Sequence, residues 1–256
     1  FATDMPAVAF RRGWTHGAPA QLLLPVALAA VVAVAGARSG ARFAPLLLLS
    51  YLGVVTHVAL DLLNNYGVRL LMPFSNRWFY GDSVFIIDPW IWLALGLGIW
   101  RSIARDCPRP ARRALAIATV YVLVMVVSAR IARGIVADEW RAAGGASPRA
   151  LMVGPEFLTP LHRQIIVDAG DRYVTGRFRF PRRVAFDTHS TPKHDDHPAV
   201  LKAKATDRRV QGVLGWARFP YFGVGPARGQ PRVRGLLARY RALVGSASVA
   251  IPAEHR

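Results

Sequence analysis

The sequence predicts a polytopic α-helical membrane protein of about four spans, followed by a small C-terminal β-rich (α+β) extramembrane domain. Two observations lead there. Of 256 residues, 53% are hydrophobic and the mean hydropathy is +0.26, which is too apolar for an ordinary soluble domain. The apolar residues also fall into four long runs within the first 131 positions, while short alternating runs take over beyond about residue 132.

Each run has the makings of a span. Residues 18–36 (APAQLLLPVALAAVVAVAG) carry no charge and match the ~20 residues that a ~30 Å hydrocarbon core requires. Residues 43–60 (FAPLLLLSYLGVVTHVAL) are nearly as apolar, with His57 close to the end. Residues 84–100 (VFIIDPWIWLALGLGIW) hold one charge, Asp88, near the start. Residues 114–131 (ALAIATVYVLVMVVSARI) are uncharged until Arg130. Trp78, Trp90, Trp92 and Trp100 sit near run ends, as an aromatic belt places them.

Three regions follow: a membrane-embedded part over 1–133, a polar Gly-containing connector over 134–155, and a β-rich domain over 156–256. In DRYVTGRFRF (171–180) Tyr173, Thr175, Arg177 and Arg179 alternate with Val174, Phe178 and Phe180, a period of two that reads as half-buried strand; QIIVD (164–168) is a second strand. In TDRRVQGVLGWAR (206–218), Val210, Val213, Leu214 and Ala217 lie at helical spacing, with Thr206 as N-cap. Residues 233–243 and 246–251 read as two closing strands.

The net charge of +18 is almost entirely arginine. With no nucleic-acid motif interleaving aromatics, the partner it points to is an anionic bilayer surface, not nucleic acid. Cys107 is the single cysteine, so no internal disulfide can form. There is no nucleophile elbow, phosphate-cradling glycine loop, HExxH or paired CxxC.

Chemistry concentrates in one stretch. The first 133 residues contain five acids, and three of them lie between Asp61 and Asp88. If each run crosses once, His16, His57, Asp61, Asp82 and Asp88 share one membrane face. His57 and Asp61 are four residues apart, so a helix stacks them on one side. With Asp88 and His16 they form a ligand set of nitrogen and carboxylate donors suited to Zn²⁺, or to Mn²⁺ or Fe²⁺. Asp82 is the residue to position a ligand or act as base, with Asp88 beside it. Arg69 and Arg77, in the same interfacial loop, suit a phosphate or lipid headgroup. The structural alternative is plain: a helix pair at His57/Asp61, a cap at Asp88 before Pro89, and turns at Asp82 and Asn64-Asn65. The tract HSTPKHDDHP (189–198) reads as a solvated linker despite its three histidines.

RRGWTH (11–16) and THVALDLLNNYGVRLLMPFSNRWFYGDSVFIIDPW together resemble the YdjM-like family of membrane-bound, metal-dependent hydrolases. The elements carrying the likeness are Gly13-Trp14-Thr15-His16, His57 with Asp61, Asn65-Tyr66-Gly67, Pro73-Phe74-Ser75, and Asp82 with Asp88-Pro89-Trp90. The resemblance covers roughly the first hundred residues. It implies a multi-pass protein of the bacterial inner membrane and a divalent metal cofactor. It also implies hydrolysis by metal-activated water, and Asn65 joins Arg69 and Arg77 as a substrate contact. A lipid-linked phosphoester is the expected substrate class. The family further implies a segment ahead of Phe1 with a Thr-His pair and a Pro-Asp-x-Asp element, of which Asp4 is read as a remnant. The competing function is a non-enzymatic anchor or scaffold whose His/Asp cluster is a hydrogen-bond network. A transporter would need polar groups near the midplane, whereas His57 and Asp88 lie toward run ends.

Overall fold

The computed structural model describes residues 12–36, 40, 42–223, 232–235 and 249–250. Asp4, Arg11 and most of the two closing strands expected over 233–243 and 246–251 lie outside the described residues.

Four helices come first: α1 (Ala18–Ala35), α2 (Phe43–Leu63), α3 (Pro89–Ala104) and α4 (Arg109–Ala142). Among the described residues α1, α2 and α4 are long and apolar enough to cross a membrane. Their apolar side chains face outward: Leu23, Val34, Leu49 and Ile117 are exposed, as a lipid-facing surface requires. The third expected span is the shorter α3, 16 residues packed along α4. It begins at Pro89, not Val84, because Pro89 cannot continue a helix begun upstream and Asp88 caps the one that follows. Asp88 Oδ1 accepts from the Trp90 and Ile91 amides, and Val84 and Phe85 are buried in the loop before it. Helices α3 and α4 touch at Gly98, where an added Cβ would lie 2.2 Å from Ala114 Cβ.

At 34 residues, α4 is ~51 Å long, ~20 Å more than a hydrocarbon core takes up. Its C-terminal part therefore reaches into the β-rich region. The stretch expected as a connector over 134–155 is helical up to Ala142 and strand from Ala150, and its Val136, with Ala132 one turn earlier, is fully buried under a sheet. The spacing explains it: Ala132, Val136 and Trp140 recur every fourth residue and form one apolar face.

That sheet is an antiparallel meander of β1 (Ala150–Glu156), β2 (Thr159–Asp168), β3 (Arg172–Arg179) and β4 (Arg183–Pro192), in spatial order β1-β2-β3-β4. Leu151, Val153, Ile165, Val167 and Phe178 pack on α4. Met152, Ile166 and Tyr173 point the other way, onto Phe219. Covered on both faces, β1 and β2 read as continuous apolar runs and not as clean alternation. Two short helices follow, α5 (Pro198–Thr206) and α6 (Arg208–Trp216), with Val200, Ala203, Val210, Val213 and Phe222 as their core. Thr206 ends α5 instead of capping α6: its hydroxyl donates back to the Lys202 carbonyl. Strands β5 (Pro220–Gly223), β6 (Arg232–Gly235) and β7 (Val249–Ala250) form a second antiparallel sheet.

Candidate metal centre

The centre is assembled from the turn before α1 and the last two turns of α2. Gly17 lets that turn lie against the loop after α2, because a Cβ there would lie 2.7 Å from the Met72 carbonyl oxygen. The turn at residues 12–16 is pinned by the His16 amide donating to the Gly13 carbonyl, and by Gln21 Nε2 donating to the His16 carbonyl. Arg12 donates through Nη1 to the Gly67 carbonyl at 2.9 Å and lies over the Tyr66 ring. The N-terminal turn is thereby fixed to the loop after α2.

His16 Nε2 stands 3.1 Å from Asp61 Oδ2, and His57 Nε2 stands 3.9 Å from the same oxygen. The imidazole centroids are 5.4 Å apart. One donor atom from each of His16, His57 and Asp61 falls within 4.8 Å of the other two, so the group can hold a metal ion. His16 and Asp61 are largely enclosed, while 65% of the His57 side chain is exposed, leaving an open side. Thr15 Oγ1 lies 2.9 Å from His16 Nδ1, a partner of the kind that orients a ligating imidazole from behind. Asn64 Nδ2 donates to Asp61 Oδ1 at 3.1 Å, and Arg12 Nη2 stands 3.7 Å from that oxygen.

The other expected site residues take different places. Asp88 caps α3 and accepts from Tyr121 Oη on α4 at 3.0 Å, so it stands outside the three-donor group. Asp82 is gripped by Arg218, with contacts of 2.6 and 3.0 Å to its two carboxylate oxygens. Its carbonyl accepts from Arg163 at 2.9 Å. Arg163 is fully buried, and its guanidinium also reaches the Met125 carbonyl and Ser128 Oγ of α4. Burial lowers its pKa to about 10. Arg69 lies over Trp78 and donates to Asn76, and burial draws its pKa down. Arg77 lies over Phe79. Asn65 is buried beside Gly154 of β1, its amide without a hydrogen-bond partner among the described residues. In the HSTPKHDDHP tract, Lys193 is buried and pairs with Asp168 at 2.6 Å, while His194, Asp195 and Asp196 are exposed.

Arg12, Asn64 and Thr15 were given no role in the site from sequence. Arg12 and Thr15 stand inside the RRGWTH element and Asn64 was read as a turn residue, which is the only local signal they give. Arg163 and Arg218 had none, because their partners are distant in the chain.

Helices of spanning length, joined to an extramembrane sheet and carrying a two-histidine, one-aspartate cluster where α1 and α2 meet that side, define a membrane protein with a candidate interfacial metal centre. The chain belongs to the YdjM inner membrane protein family, whose profile matches residues 1–134. It is similar to the uncharacterized protein YfhP of Bacillus subtilis, with 34% identity over 91 residues. That alignment takes in 35% of this chain and 27% of YfhP, so the chain spans about a quarter of the relative's length. No solved structure matches.

Proposed function

We propose that the protein is a multi-pass inner-membrane hydrolase in which His16, His57 and Asp61 hold a divalent metal, Zn²⁺ by donor chemistry, and the substrate is a phosphoester or lipid-linked compound. The observation carrying this reading is the convergence of three donor atoms within 4.8 Å on an open-sided site. Two imidazoles and a carboxylate form a donor set common to catalytic zinc sites. A divalent ion there supplies Lewis acidity and acidifies water. The chain's own part is to aim the donors. Thr15 orients His16 from behind, Asn64 holds one Asp61 oxygen and leaves the other toward both imidazoles, and Arg12 balances the carboxylate. Arg69 and Arg77 remain the cations suited to an anionic headgroup.

One observation favours a second reading, an anchor with a structural polar network: Asp61 already has His16, Asn64 and Arg12 around it. The two readings part in Asp61→Asn. The purified protein, reconstituted in phospholipid vesicles and loaded with Zn²⁺ or Mn²⁺, is assayed against phospholipids and phosphodiesters. The hydrolase reading predicts metal-dependent turnover that Asp61→Asn abolishes with thermal stability kept. A stability loss with no turnover in the wild type supports the network instead.

A further inference from the structure

An open apolar groove of about 590 Å³ runs between α1 and α2 and ends at the candidate metal centre. Leu24, Leu28 and Val32 form one wall, and Leu46, Leu49 and Gly53 the other. Thr15, His16 and His57 close its polar end. We propose that this groove is the subsite for a single aliphatic chain of a membrane lipid, whose polar headgroup is thereby delivered to His16, His57 and Asp61. The proposal rests on the hydrolase reading above and narrows its substrate to a chain-bearing lipid drawn sideways from one leaflet.

Length and polarity both point to that occupant. From His57 down to Leu46 is eleven residues of helix, ~16 Å, against ~15 Å for half of a ~30 Å hydrocarbon core. A groove one leaflet deep, with its polar end where headgroups lie, matches a lipid in both dimension and polarity. Its lining is apolar apart from Ser50 until the end formed by Thr15, His16 and His57, so the occupant it suits has a hydrocarbon body and one polar terminus. Gly53 keeps the passage open: a Cβ placed there meets no atom within 4 Å, so the space beside it belongs to the groove and not to a packed neighbour.

The test uses the full chain in phosphatidylcholine vesicles with dodecyl phosphate carrying a diazirine at mid-chain, and maps photolabelled peptides by mass spectrometry. Gly53→Leu fills the groove while favouring the helix. Leu28→Phe fills it from the opposite wall, should Gly53→Leu fail to fold. The expected result is labelling concentrated on the facing walls of α1 and α2, reduced at least tenfold by either replacement, with bound metal unchanged. Labelling spread over the outer faces of α3 and α4, or indifferent to both replacements, overturns the proposal. So does a disulfide through position 53 that links two copies of a Gly53→Cys variant, which would seat a second copy of the chain in the groove. A wild type that labels in the groove but binds no metal supports the chain subsite and refutes the hydrolase reading. Bound metal with indifferent labelling refutes the subsite alone.

Discussion

Removing Arg218 tests whether Asp82 is a structural carboxylate. The guanidinium makes both contacts to Asp82, donates to the Leu151 carbonyl at 3.3 Å and stacks 4.0 Å from the Tyr80 ring centroid. Both side chains are close to nine-tenths buried. Deleting one partner of such a pair strands the other, at a cost of ~3–5 kcal/mol when burial is complete. With some water access at this pair, ~3 kcal/mol is the working value for Arg218→Met. At ~1.4 kcal/mol per decade, the clamp between the 64–88 loop and β1 should open ~100-fold more often. Hydrogen exchange in lipid nanodiscs reads that directly, as a ~100-fold loss of protection at the Ser83, Val84 and β1 amides. Asp82→Asn should produce most of the same loss. The double variant should fall short of the sum by at least ~0.5 kcal/mol, the coupling expected of direct partners. Arg218→Lys should not rescue, because an ammonium cannot grip both oxygens and stack. Wild-type protection in both single variants, or strict additivity, refutes the clamp. Turnover abolished in Asp82→Asn with protection intact makes Asp82 the base that the sequence suggested.

Gly98→Val forces a branched side chain into Ala114 where α3 crosses α4, and the thermal midpoint should fall by an amount consistent with ~1–3 kcal/mol of overpacking; an unchanged midpoint would mean the helices are not held this closely. Burial raises the Tyr80 phenol above its ordinary 10.0, with Arg218 opposing. The stability that depends on its neutral form is therefore complete below pH ~10 and is lost as pH rises through the higher folded value. Burial raises the Tyr66 and Tyr173 phenols too. Ultraviolet titration should therefore show several late-ionising phenols, and Tyr80→Phe should remove one of them; an unchanged late phase would contradict the burial of Tyr80.

The membrane half was legible because span length is a physical constraint on composition: α1, α2 and the apolar part of α4 are visible as uninterrupted runs. Their ends were less so. The start of α3 depends on a cap at Asp88, and the extension of α4 depends on a four-residue recurrence in a stretch that looks polar by composition. The β-rich region was only partly legible, because β1 and β2 are covered on both faces and lose the alternation that marks a strand.

The site divides the same way. His57 and Asp61 were readable from helical spacing, and His16 from membrane sidedness. From sequence Asp88 was grouped with Asp61 as a ligand and Asp82 was set beside them as a base. The fold sets both apart from the three-donor group through partners distant in the chain: Arg218, 136 positions from Asp82, and Tyr121, 33 from Asp88. No local pattern encodes such partners.

The most direct test of the metal centre is the metal content of the detergent-purified, metal-loaded chain, measured beside His57→Ala and Asp61→Asn. The three-donor geometry predicts about one divalent ion per wild-type chain, lost in both variants while helix content stays constant. A metal-free wild type after loading, or an ion retained by both variants, would contradict it.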